Sequence, residues 1–355
     1  MPGSPTLARE DPATSRPAPP ESPRRRSPKH GLVGLVVAGA GDGEPAWSVA
    51  RGWANLERGE ELRPEHGFPA YAVTKLITST AVLRLVADGR AGLDAPAGRL
   101  LRTARLTDET ITVRELLSHT GRVDSPPDMF TDGPAEPPEL FDGPVVPCSG
   151  NRGRFVYCKG GYAVLGRLVT DLTGLPYPEA AARLVLDPLG MTRSGFPADP
   201  PTAGVTQGYR LTETGEFAPD PAPIFRIPVA GGLWTTAQDL IRFARGWSGL
   251  LQADLAAEAV RAHAAVAEGG LYAGAGLAGQ PSQGRVRARR QRSGVGDFTA
   301  PAGGQRAGDR REYQPPAPNR ADQRPADPPD RLTARVAAVI RPPPRSRTRA
   351  GIGSA

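Results

Sequence analysis

At 355 residues the chain has room for one large domain or two smaller ones, and its two cysteines, Cys148 and Cys158, are too few for a disulfide framework. The cysteines also lack metal-ligand spacing, and no apolar run approaches the roughly 18 residues of a membrane span, so neither a metal nor a membrane partner is expected. The formal charge of +7 is uneven: residues 1–30 carry +3 and residues 270–355 carry +10, which leaves −6 for the middle.

Residues 1–30 form a basic, proline-rich segment without periodicity, expected to be disordered. Arg24-Arg25-Arg26 followed by the small apolar run Gly31–Ala40 imitates a signal peptide at residues 24–40. The favoured reading is a first β-strand, turned by Gly41–Pro45 into a returning strand over Ala46–Asn55. On that reading the protein is cytoplasmic, with export as the alternative.

A helix is predicted from Tyr71 to Val86, apolar almost all round and therefore buried. Asp88-Gly89 supplies its left-handed stop. Its first turns hold Lys75, and a buried ammonium costs several kcal/mol unless it is paired or gives up its proton. The positive end of the helix dipole adds to that cost, so Lys75 reads as a base with a lowered pKa. The chain has only three lysines, Lys29, Lys75 and Lys159, among 44 basic residues.

Thr112-Val113-Arg114-Glu115 has capping-box spacing and opens a short helix that ends at Ser118-His119-Thr120-Gly121. There His119 is expected to make a C-terminal cap contact. Asp124–Pro147 is a long Pro-rich and acidic loop of the kind that lines sites. Tyr157–Tyr162 opens another helix, Tyr177–Leu186 forms a third, and Gly231–Thr236 leads into Ala237–Trp247 with Thr235 or Thr236 as cap. After about Leu277 the hydrophobic pattern fades, and Leu332–Ile340 reads as one short final helix.

These segments, in this order over roughly Gly31 to Gly249, resemble the serine β-lactamase/penicillin-binding-protein-like hydrolases, in particular the class C β-lactamase, DD-peptidase and esterase branch. Ala72-Val73-Thr74-Lys75, Ile111–Thr120, Tyr157–Gly166, Leu186–Met191 and Gly231–Phe243 carry the resemblance. It implies an α/β (α+β) fold, an antiparallel sheet flanked by helices plus a mostly helical subdomain, with a cleft between the two. It implies acyl transfer to a serine, with hydrolysis of a β-lactam, a D-Ala-terminated peptide or an ester. The partner is then a small-molecule or peptide acyl substrate, and no metal or organic cofactor is implied.

The family's S-x-x-K motif places serine and lysine one helical turn apart, so that a low-pKa lysine takes the hydroxyl proton. Here the serine position is Ala72, which has no group able to attack. The Y-x-N motif reads Tyr157-Cys158-Lys159, with an ammonium where the amide holds substrate. Lys159 either binds an anionic substrate group or pairs with a nearby acid. The third motif, K/H-[ST]-G, is matched only by Arg292-Ser293-Gly294, a remnant in an Arg-rich region. The resemblance thus assigns Ala72, Lys75 and Tyr157 to the catalytic positions, and Lys159, Arg292, Ser293 and Gly294 to substrate binding.

Thr78 and Ser79 share the face of Lys75 and read as core hydroxyls bonded back to the helix rather than as replacement nucleophiles. Cys158 reads as structural, with a thiolate activated by Lys159 as the alternative. The expected organisation is a basic segment at 1–30, a hydrolase domain at 31–270, and an Arg/Pro/Gly-rich region at 271–355 that is degraded or frame-altered and largely disordered. That last region lacks the interleaved aromatics of a nucleic-acid arm, so no nucleic-acid partner is expected. With Ala72 in place of the nucleophile, activity is expected to be impaired or lost, and a non-catalytic ligand-binding protein that keeps the cleft is the alternative.

Overall fold

The computed structural model describes residues 32–40, 45–124, 130–131, 145–150, 152–212, 214–220, 224–225, 227–261, 263–266, 271–273, 278–279, 286–287 and 334–340. The segment 1–30 and Arg292-Ser293-Gly294 lie outside them. Strand β1 (Gly34–Ala40) occupies the run that imitates a signal peptide, and it pairs antiparallel with β2 (Trp47–Asn55), Gly34 opposite Gly52 and Gly39 opposite Trp47. Gly52 has φ +92, and a Cβ there would stand 2.3 Å from the Val33 carbonyl oxygen, so only glycine fits this step of the strand. A short β3 (Glu60–Glu61) extends the sheet beyond an irregularity at Trp53–Asn55.

The other edge of β1 is taken by the strand Ala334–Ile340, antiparallel, with Ala40 opposite Ala334 and Gly34 opposite Ile340. A helix was the expectation for Leu332–Ile340, and the strand corrects it. A short apolar run has no decisive period of its own, whereas pairing with β1 satisfies a whole row of backbone donors and acceptors. Region 271–355 therefore supplies one strand of the main sheet. It also supplies Leu271–Ala273, Ala278–Gly279 and Val286–Arg287, which continue a meander from Ala264–Val266.

The helices in chain order are α1 (Thr74–Ala87), α2 (Val113–Leu117), α3 (Gly160–Thr173), α4 (Tyr177–Ala181), α5 (Pro228–Gly231), α6 (Ala237–Gly246) and α7 (Ala253–Val260). Helix α6 packs on β1 and the final strand, and Gln238 Nε2 donates to Ser48 Oγ at 3.0 Å to tie it to β2. Its start is capped as the sequence predicts, with Thr236 Oγ1 accepting from the Asp239 amide at 3.2 Å. The capping box at α2 also forms, Thr112 Oγ1 accepting from the Glu115 amide while Glu115 Oε2 accepts from the Thr112 amide.

Helix α1 lies at the centre of the helical part, against α3, α4 and α5. Eleven of its fourteen residues are buried, among them Ile77, Leu83 and Leu85. Each such side chain contributes about 1.5–3 kcal/mol on leaving water, so burial rather than propensity holds the helix in place. It ends at Asp88, with Gly89 in the left-handed conformation at φ +68. Helix α4 runs on through a π-helical turn over Ala182–Leu186 before Asp187.

Candidate active site around Lys75

The chain enters α1 through β4 (Phe68–Pro69), which pairs with Trp234–Thr235, and then through a 3-10 turn over Tyr71–Val73. Tyr71 has φ +46, an uncommon conformation for a bulky residue. The strained step sets Ala72, half-buried, at the mouth of the helix, where first-turn amides have no intrahelical acceptor. Lys75 follows three residues later on the same face and is only 5% exposed.

Lys75 Nζ donates to the Ala230 carbonyl in α5 at 2.7 Å. It also lies 5.0 Å from the ring centroid of Tyr157 and 5.4 Å from that of Tyr162. Desolvation is the largest influence on its amine, and the charge of Lys159 adds to it, so the pKa falls from 10.5 to about 7 against a smaller opposing effect of Cys158. Near neutral pH the group is therefore divided between ammonium and free amine. A proton acceptor is in place, and the residue three positions before it, Ala72, offers only a methyl group.

Tyr157, Cys158 and Lys159 lie just before α3, with Lys159 at its N-cap rather than inside the helix. Tyr157 keeps 37% of its surface open while its ring packs inward, and desolvation, followed by Cys158, pushes its hydroxyl above tyrosine's ordinary value. The phenol is thus neutral, a proton donor rather than a phenolate. Burial first of all raises the Cys158 thiol, which leaves no ready thiolate beside Lys159, and both cysteines are free. Lys159 is itself lowered by desolvation.

The hydroxyls along α1 differ from expectation. Thr78 Oγ1 donates to the Val229 carbonyl at 2.6 Å and meets the Tyr177 hydroxyl at 2.6 Å, while Ser79 Oγ meets the Tyr162 hydroxyl at 2.9 Å. Only Thr80 bonds back along the helix, to the Leu76 carbonyl at 2.9 Å. Thr78 and Ser79 serve as cross-braces between helices, and such engaged, fully buried groups are poor nucleophiles.

What sequence reasoning missed is the role of the His119 side chain. As expected, His119 closes α2: its backbone turns left-handed at φ +59 and its amide donates to the Leu116 carbonyl at 3.4 Å, and the same turn carries the ring into the site. His119 Nδ1 accepts from the Cys158 amide at 3.3 Å, and its carbonyl accepts from the Val156 amide at 2.9 Å. Its ring lies 4.7 Å from the Tyr157 ring and 4.9 Å from the Tyr162 ring, so one residue, through its ring and its carbonyl, braces Tyr157 from both backbone neighbours and from its face. Desolvation, with the charge of Lys75 second, lowers its pKa from 6.5 to about 3, so it stays neutral with the proton on Nε2. The sequence places His119 at the end of that helix, and nothing in it signals that the ring meets Tyr157.

Gly160 completes the brace. A Cβ at that position would stand 1.9 Å from the Asp124 carbonyl oxygen, so the start of α3 can approach the Val123–Asp124 segment only as glycine. A separate cleft of 480 Å³ is lined by Glu65, Gly67, Arg193, Phe196, Trp234 and Thr235 among others, and it shares no lining residue with the Lys75 cluster. The titratable groups converge in the cluster rather than in that cleft, which makes the cluster the candidate site. Among the described residues no group of three His, Cys, Asp or Glu side chains is placed to hold a metal, and no helix is long and apolar enough to cross a membrane.

The profile of the family Beta-lactamase matches residues 9–286. Penicillin-binding protein 4 of Amycolatopsis lactamdurans is 28% identical over 244 residues, 61% of this chain and 60% of that protein. Esterase EstB of Burkholderia gladioli is 33% identical over 188 residues, 46% of this chain and 47% of the esterase. The chain thus spans between about half and three-fifths of these curated relatives. Among solved structures, the octameric penicillin-binding protein homologue from Pyrococcus abyssi superposes with a TM-score of 0.58 at 24% identity, over 70% of this chain and 61% of that one. D-amino acid amidase from Ochrobactrum anthropi SV3 complexed with L-phenylalanine does so at 0.58 and 22%, over 70% and 77%. At these identities the two structures establish the β-lactamase/transpeptidase-like fold alone. The helix that buries Lys75 beneath Tyr157 is thus a piece of inherited architecture, and this chain belongs to the Beta-lactamase family.

Proposed function

We propose that the chain carries a serine-hydrolase site of the β-lactam, D-Ala-peptide or ester type in which acyl transfer is impaired or absent, because the nucleophile position is Ala72. The observation that carries this reading is the pairing of a desolvated Lys75 with a methyl group one turn earlier. In the proposed scheme Lys75 is the base, Tyr157 the proton relay, and Lys159 a cationic contact for substrate. Arg292, Ser293 and Gly294 are assigned to substrate binding on the sequence pattern alone. Without an attacking hydroxyl the same cleft holds an acyl substrate non-covalently, which is the binding-protein reading of this site.

Exposure to a fluorescent β-lactam and to a fluorescent fluorophosphonate tests the proposal. The wild-type chain is expected to remain unlabelled, and Ala72→Ser to gain a covalent label. Labelling of the wild type overturns the claim that no working nucleophile remains. An unlabelled Ala72→Ser protein with wild-type stability means that the rest of the site is lost as well.

A further inference from the structure

The missing hydroxyl has a second consequence, because it changes what Lys75 itself can do. In a serine hydrolase the lysine nitrogen spends its lone pair on the serine proton. Here the hydrogen bond that the described residues provide uses an N–H, given to Ala230, and leaves the lone pair uncommitted. Two aromatic rings at 5.0 and 5.4 Å wall the nitrogen, and Tyr157 of the two retains exposed surface. The neighbouring side chain toward the helix mouth is the half-buried Ala72 methyl. An amine buried in an aromatic-walled pocket is an arrangement that makes lysine a nucleophile toward carbonyl compounds.

We propose that Lys75 is a nucleophilic amine that forms an imine with small aldehydes entering past Ala72 and Tyr157. The neutral nitrogen attacks the carbonyl carbon, a C–N bond forms, and the carbonyl π pair moves to oxygen. That oxygen takes a proton and the nitrogen loses one, giving a carbinolamine. The C–O bond then breaks, the oxygen leaves as water with a second proton while the nitrogen lone pair closes the C=N bond, and the iminium releases its remaining N–H proton, which replaces the one the oxygen took. Amine and aldehyde thus become imine and water with no change of oxidation state. This activity stands apart from acyl transfer and needs no serine.

The three-lysine composition makes the test direct. Full-length protein is treated at pH 7 with acetaldehyde and sodium cyanoborohydride, whose hydride traps the imine as an ethyl amine, and the peptides are then mapped. An ordinary lysine is almost wholly protonated at pH 7, whereas Lys75 holds a large neutral fraction. Ethylation of Lys75 is expected to outpace that of Lys29 by roughly tenfold in the native protein, and the preference to vanish in guanidinium chloride. In Ala72→Ser, where a hydroxyl again engages the amine, the native rate is expected to fall several-fold. An unmodified Lys75, or one modified no faster than Lys29, overturns the proposal. A preference that persists in the denatured chain does so too, since it would owe nothing to the site.

Discussion

His119 shows how much of a site can depend on one side chain that never meets the reacting atoms. It touches Tyr157 through its ring, Cys158 through Nδ1 and Val156 through its carbonyl. Its buried ring must stay neutral in the folded protein, while the same ring in the unfolded chain takes up a proton near its ordinary pKa of 6.5. The unfolded state therefore binds more protons between pH 6.5 and about 3, and stability falls as pH drops through that window. The slope from this one group is at most about 1.4 kcal/mol per pH unit. Urea unfolding of wild type and His119→Gln at pH 7 and pH 5 is expected to show a smaller acid loss in the variant. An equal loss in both would mean that His119 is already charged or solvated in the folded state. The helix stop was legible in Leu117-Ser118-His119-Thr120, but the ring contacts were not, because the aromatic neighbours come from the fold.

At the scale of elements, the parts with local chemistry were legible and those defined by pairing were not. The apolar belt of α1, the capping box at Thr112 and the Thr236 cap follow from side chains within a few residues of one another. The strand Ala334–Ile340 follows from the open edge of β1, some three hundred residues away, and Thr78 and Ser79 find their acceptors on other helices. The start of α3 was misplaced for a related reason: Gly160-Gly161 is shaped by backbone from Asp124 and Leu116 rather than by its own sequence. Because α1 is packed on several sides, it has little room to collapse around a deletion. Leu83→Ala is expected to cost about 2–5 kcal/mol in chemical denaturation. A cost below 1 kcal/mol would show that the helix is far less enclosed than its burial implies.

Across the whole molecule, the basic charge is concentrated away from the Lys75 cluster. The basic excess sits in the two ends, while the family match covers residues 9–286, where the site groups Ala72, Lys75 and Tyr157 fall. What the fold contributes is position: a strained turn at Tyr71, a buried helix, and a braced Tyr157 that together place an amine out of water against two aromatic rings. The family and the two departures at Ala72 and Lys159 were visible in sequence, because motif spacing survives divergence; the desolvation that tunes Lys75 was only inferable. The central claim is that this amine titrates near neutral pH although the position one turn before it is Ala72. Three lysines give three resolvable side-chain signals, so an NMR titration of protein labelled with ¹³C-lysine reads the claim directly. One signal, removed by Lys75→Met, is expected to titrate near pH 7, far below the ordinary 10.5. If all three signals titrate near the ordinary lysine value, Lys75 is a solvated cation and the account fails.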